Sequence, residues 1–155
     1  MNAQRGVLIS LVGLACAMGV SAADMSFAGG YRPVMTDELK ARLATADVAA
    51  GAKYFDRKCS QCHDGEKTGG HAKGPFLWNW FGRPAASIPG FEFSVAMKRA
   101  GIAWDYATLD HYLADTERAV PGKAMNFVGI ADPALRAAVL LHLRTLNDAP
   151  PPLPQ

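Results

Sequence analysis

The strongest periodicity lies near the C-terminus, where Leu135, Val139, Leu143 and Leu146 recur at intervals of four, four and three. That spacing is one apolar stripe of a helix, and Asp132-Pro133 supplies its cap and first-turn residue. Earlier, Thr36 followed by Asp37 and Glu38 predicts an N-cap and a short helix to about Ala44. A second helix is expected after Asp47, with Gly51 and Phe55 four apart on one face. Glycine inside a helix costs about 1 kcal/mol against alanine, so Gly51 points to a close approach by another helix. The alanine-rich C-terminal helix can supply it. Ser94 predicts a short helix to about Ala100, and Asp105 or Thr108 opens one carrying Leu109, Tyr112 and Leu113. Residues 65–75 and 82–90 are too rich in glycine and proline to be helical. Between them Phe76, Leu77, Trp78, Trp80 and Phe81 form a dense apolar cluster. No stretch alternates as a strand does and no internal repeat is present, so the expected fold class is all-α.

The two ends read differently from the middle. Arg5, an apolar run over residues 7–20 and the small residues Ser21, Ala22 and Ala23 make residues 1–23 a cleavable export signal. The alternative is an uncleaved membrane anchor, for which the run is short and broken by Gly13 and Gly19. Lipid attachment at Cys16 fits less well, because Gly13 and Leu14 are poor neighbours for it. The layout is then an export signal over 1–23, an N-terminal extension with a short helix over 24–46, a main domain over 47–147 and a proline-rich tail over 148–155. Residues 24–31 are expected to be irregular and mobile at their start, and the tail to be a solvated terminus that stops the last helix. At 155 residues and 50% hydrophobic, the chain is long enough for one domain with a real core.

Charge narrows the partners. The leader holds one of 16 basic residues and none of 14 acidic ones, leaving 15 against 14, a formal +1. So small an excess argues against nucleic-acid binding. Without Cys16 only Cys59 and Cys62 remain, and an exported protein sits in an oxidising compartment.

Those two cysteines lie in Cys59-Ser60-Gln61-Cys62-His63, a Cys-x-x-Cys-His string that reads as a covalent haem attachment site. Each thiol can form a thioether to one vinyl group, and His63 follows as a ligand to the iron. A redox Cys-x-x-Cys pair would sit in a βαβ pattern, which the flanks lack. A zinc site needs four ligands, and His71 is the only further candidate nearby. With both cysteines taken by haem, no disulfide is expected. For the second iron ligand, Met25 and Met35 lie in the extension and Met97 within a helix. Met125 follows Val120-Pro121-Gly122-Lys123-Ala124 in a loop that can aim it inward, and is favoured.

Over residues 47–146 the chain resembles the class I c-type cytochromes, the group of mitochondrial cytochrome c and bacterial cytochrome c2. The resemblance runs through Gly51, Phe55 and Lys58 before the haem motif, Thr68-Gly69-Gly70-His71, Lys73-Gly74-Pro75, Phe81-Gly82-Arg83 and Pro89-Gly90-Phe91. It continues with Gly101-Ile102-Ala103-Trp104, Tyr112-Leu113, Val120-Pro121-Gly122, Met125, Phe127-Val128-Gly129-Ile130 and Arg136. It implies a cytochrome c fold of four to five helices around one haem c, covalent through Cys59 and Cys62, with an extra N-terminal segment. It also implies His63 and Met125 as axial ligands, with the Pro75 carbonyl accepting the other imidazole N–H. Arg83 and Trp104 would face a buried propionate, Tyr112 would place its hydroxyl near the Met125 sulfur, and Phe127 would cover the haem beside it.

Some positions depart from the family. Phe93 stands where a tyrosine usually donates to a propionate, and Met97 where a small polar residue usually holds an internal water. Lys123-Ala124 replaces a usual Thr-Lys pair, and His142 stands where an aromatic commonly meets Phe55. The function these readings imply is a periplasmic one-electron carrier, iron cycling between Fe(III) and Fe(II), and not an enzyme. Its partners would be a redox donor and acceptor, a membrane respiratory complex among the candidates, and the carrier a monomer. The electron would cross a haem edge near Cys62 and Phe127. Lys58, Lys73 and Lys123 around that edge would steer an acidic partner and make the rate fall steeply with salt. The alternatives are the haem c subunit of a periplasmic dehydrogenase or oxidase complex, with residues 24–46 as its contact, and a haem peroxidase. A peroxidase needs an open iron position and a polar distal group.

Overall fold

The computed structural model describes residue 21 and residues 25–155. The expected export signal lies outside the described residues except for Ser21. Six helices occur among the described residues: α1 (Asp37–Thr45), α2 (Val48–Lys58), α3 (Val95–Lys98), α4 (Tyr106–Ala114), α5 (Thr116–Ala119) and α6 (Pro133–Thr145). The described residues hold no strand, only an isolated antiparallel bridge between Pro84 and Ala103. The excess over the four to five helices expected lies in two single turns, α3 and α5, the second of which the periodicity did not announce.

Each helix starts on a side chain that accepts orphan N–H groups of its first turn. Thr36 accepts from Leu39 at 3.2 Å, Asp47 from Ala49 at 2.9 Å and Ser94 from Met97 at 3.2 Å. Asp105 accepts from the Thr108 N–H at 2.7 Å while the Thr108 hydroxyl accepts from the Asp105 N–H at 2.8 Å, a reciprocal capping box. Asp115 caps α5 and Asp132 caps α6. These contacts span two or three residues, so the start points follow from local sequence alone.

Packing centres on α6, whose residues 136–141 and Leu143 are buried. Helix α2 crosses it at Gly51. A Cβ there would lie 2.9 Å from the Val139 nitrogen and closer still to the Ala138 carbonyl. Beside the crossing, Phe55, Trp80, Ile130, Val139 and Leu143 form one apolar cluster, and the Trp80 indole donates to the Leu143 carbonyl at 2.6 Å. Phe55 meets His142 with ring centroids 4.9 Å apart, so the imidazole takes the place of the expected aromatic. On the other side of α6, Leu39 and Leu43 of α1 join Tyr106, Leu140 and Leu141 in a second cluster. Buried Arg136 spans from α6 to α4, donating to Asp110 at 2.7 Å and to the Ile130 carbonyl at 2.8 Å.

Residues 25–31 and the C-terminal tail both make tertiary contacts. Residues 25–31 are irregular, as expected, yet they carry Phe27 into the interior, where it is 1% exposed. The tail folds back: Pro151 is buried, and its carbonyl accepts from Arg144 at 2.7 Å and from the Tyr106 hydroxyl at 3.3 Å. It is not simply a solvated end.

Candidate haem site

Helix α2 delivers the Cys-x-x-Cys-His string. Beyond Lys58 the chain stays helical for one turn, with Cys62 and His63 N–H groups donating to the Cys59 carbonyl at 3.0 and 2.9 Å. Two free thiols and one imidazole therefore share a single turn. Burial, followed by the neighbouring Cys62, pushes the Cys59 thiol up to about 11.

The His63 ring is oriented from behind. Its Nδ1 lies 2.8 Å from the Pro75 carbonyl oxygen. A carbonyl only accepts, so Nδ1 carries the proton and the neutral ring presents its Nε2 lone pair to the opposite side. Burial lowers the pKa of His63, which keeps that ring neutral, and the Pro75 hydrogen bond opposes this in part. Gly74 makes room: a Cβ on it would stand 2.5 Å from the ring's Cε1. His71, the other candidate for zinc, has both nitrogens engaged, Nε2 with the Pro89 carbonyl at 2.8 Å and Nδ1 with the Phe76 N–H at 3.1 Å. The described residues contain no group of three or more His, Cys, Asp or Glu able to hold a metal ion.

Across the site, the buried Tyr112 hydroxyl donates to the Met125 sulfur at 3.8 Å. Burial, then the Glu117 charge, raises the Tyr112 pKa and keeps its O–H intact as a donor. Met97 packs against the same apolar cluster as Met125 and Trp104. Between the two, only Met125 receives the Tyr112 hydroxyl. The run after Met125 is held by backbone: Ile130 donates to Leu113 at 2.7 Å, and the fully buried Thr116 hydroxyl donates to the Phe127 carbonyl. Thr116 went unnoticed in the sequence, where a lone threonine after an aspartate signals only a cap.

The fourth wall comes from two crossing segments. The Trp104 N–H donates to the Arg83 carbonyl at 3.0 Å and the Gly82 N–H to the Trp104 carbonyl at 2.7 Å, which sets Arg83 and Trp104 on neighbouring stretches. Trp104 stacks at a tilt on Tyr112, centroids 5.3 Å apart. The Arg83 guanidinium donates to the Phe76 and Trp78 carbonyls, each at 3.1 Å. Burial lowers its pKa, with no acidic partner to offset the cost. A half-buried cation supplied only with neutral carbonyls suits an incoming carboxylate, and haem brings carboxylates. Thiols, neutral imidazole, thioether and guanidinium together fit the group.

One lysine is not where the docking expectation needs it. The Lys123 side chain is 9% exposed and pairs with Glu117 at 3.1 Å, while Glu117 also accepts from the Gly122 N–H at 2.9 Å. It stiffens the loop before Met125 and offers little free charge to a partner. Lys58 and Lys73 are exposed.

Fold and site thus define a class: an all-α protein that presents two thiols and an imidazole on one turn of chain, the donor set of a covalently bound haem. No family model matches the chain. Curated relatives do. The chain is 40% identical over 104 residues to cytochrome c of Chlamydomonas reinhardtii, covering 67% of this chain and 93% of that one. It is 42% identical over 102 residues to cytochrome c2 of Rhodomicrobium vannielii, 66% and 81% of the two chains. It is 36% identical over 127 residues to a cytochrome c homolog of Bradyrhizobium diazoefficiens, 81% and 68%. The chain belongs to the cytochrome c family, as a class I c-type cytochrome: an electron-transfer protein rather than an enzyme, with one haem c bound through Cys59 and Cys62.

Proposed function

We propose that this cytochrome is a periplasmic carrier in which His63 and Met125 hold the iron from opposite sides. The observation that carries the ligand assignment is the Tyr112 hydroxyl directed at the Met125 sulfur, together with the His63 Nδ1 tied to Pro75, which leaves Nε2 as the ring's lone-pair donor. Haem c supplies reversible one-electron chemistry. The chain's own residues decide how that chemistry is used. Pro75 fixes the His63 ring and raises its basicity. The Tyr112 hydrogen bond draws electron density from the thioether, which favours the reduced state. Tyr112, Trp104 and Phe127 exclude water, and Arg83 answers a buried propionate. With both ligand positions filled by side chains, the site is closed to peroxide, which disfavours the peroxidase reading.

Periplasmic residence is supported by the leader pattern of residues 1–23 and by similarity to the cytochrome c2 of R. vannielii. No helix among the described residues is long and apolar enough to cross a membrane. A free carrier is favoured over a fixed subunit because Phe27, Leu39 and Leu43 of residues 25–46 are buried inside this chain, which leaves Val34 as the segment's one exposed large aliphatic side chain. Partners would be a redox donor and acceptor. Replacement of the two candidate methionines tests the ligation. Met125→Ala should remove the sulfur-to-iron band at the red end of the ferric spectrum and lower the potential, while Met97→Ala should keep the band. The reverse pattern refutes the assignment.

A further inference from the structure

Residues 25–32 precede residues 47–146, over which the family motifs run, yet they contact α4, the end of α5 and the segment that leads to Trp104. Phe27 is among the largest fully buried side chains. Its ring meets Trp104 edge-on, centroids 6.5 Å apart at 79°, and lies 5.3 Å from the His111 ring. It belongs to the apolar cluster of Tyr112, Ala119 and Val120, against which Met125 packs. Three polar ties hold the segment in place. The Phe27 N–H donates to the Ala119 carbonyl at 2.9 Å, at the end of α5 where the chain turns toward Met125. His111, next to Tyr112 on α4, has Nε2 2.8 Å from the Met25 carbonyl. The Arg32 guanidinium donates to the Phe27 and Tyr31 carbonyls, each at 2.8 Å, and to Gly101 at 3.2 Å, three residues before Trp104.

We propose that residues 25–32 are a positioning strap: Phe27, locked by Arg32 and His111, holds Trp104, Tyr112 and the Met125 loop in one arrangement and slows detachment of the sulfur ligand. This rests on Met125 being that ligand. The physical reason is local. Opening the loop requires Ala119 and Val120 to move, and the strap bonds to the first and packs on the second. Regions with few buried contacts open easily, and Phe27 gives this one a filled core instead.

The test uses haem-loaded full-length protein and imidazole as the competing ligand. Wild type, Phe27→Ala, Phe27→Leu and Arg32→Gln are compared with Leu43→Ala, which opens a buried site in the cluster of α1 and α6, away from Trp104, Tyr112 and Met125. Loss of the sulfur-to-iron band is followed after mixing the ferric protein with imidazole. Phe27→Ala should speed capture about tenfold or more, the factor that a modest loss of local stability gives. Phe27→Leu should restore most of the wild-type rate, and Leu43→Ala should lower thermal stability with capture unchanged. Arg32→Gln, which removes only surface ties, should speed capture about threefold, and it decides the matter if Phe27→Ala fails to accumulate. Capture rates that follow global stability alike in Phe27→Ala and Leu43→Ala, or an unmoved Arg32→Gln, overturn the strap. A wild type with no sulfur band overturns the ligand assignment, and the strap with it.

Discussion

Gly51→Ala separates two physical effects of opposite sign. On propensity alone, alanine in the middle of α2 should stabilise the protein by about 1 kcal/mol. The crossing with α6 says otherwise. Ordinary contact begins at 3.4 Å, whereas the new Cβ would lie 2.9 Å from the Val139 nitrogen and nearer to the Ala138 carbonyl. Even the mildest of these contacts demands a shift of 0.5 Å (3.4 − 2.9). The obstacle is helix backbone, so no side chain can rotate away and the two helices must part. A gap of ~0.5–1 Å forfeits about a quarter to a half of the dispersion attraction across a seam. This seam holds Phe55, Val139 and Leu143. Overpacking of this kind costs roughly 3 kcal/mol, for a net loss of roughly 2 kcal/mol and a Tm lower by roughly 4–8 °C. Urea unfolding of the ferric holoprotein, followed by tryptophan fluorescence, measures it. Gly70→Ala is the control, since its Cβ would meet nothing within 4 Å. A Gly51→Ala protein as stable as wild type, or more so, refutes the close-approach account.

Tyr112→Phe removes the O–H donor from the Met125 sulfur while keeping the ring, so the potential should fall with the sulfur band retained; a potentiometric titration checks the sign. Lys123→Gln should change the bimolecular rate with an acidic redox partner less than Lys58→Gln or Lys73→Gln does, because its charge is already spent on Glu117. Stopped-flow traces across ionic strength decide this, and the salt dependence of wild type should be shallower than three free lysines would give. The Asp148 carboxyl is drawn down to about 2 by Lys67 and Asn79. The unfolded chain therefore takes up the proton first, and stabilisation present above about pH 4 is lost as pH falls toward 2. Asp148→Asn should flatten acid unfolding in that window, read by circular dichroism.

What could be read in advance was local. Caps at Thr36, Asp47, Asp105 and Asp132 act over two or three residues, and the haem motif is five consecutive ones, so both are written in adjacent positions. Gly51 was readable as a cost needing an explanation. Phe27 was not: its burial depends on Ala119, His111 and Trp104, some eighty to ninety positions away, and nothing beside it in the chain hints at them. The same holds for Pro151, whose carbonyl is claimed by Tyr106 across 45 positions. Lys123 reads in the sequence as free charge beside a candidate iron ligand, while Glu117 reaches it across an irregular turn that no helical spacing reveals.

The proposed carrier holds its iron between His63 and Met125 and passes single electrons. An optical redox titration of the purified, haem-loaded protein tests it most directly. One reversible one-electron wave at a positive potential is expected, with the sulfur-to-iron band present in the oxidised protein and gone in the reduced one. A wave at strongly negative potential with no such band at any point would contradict it.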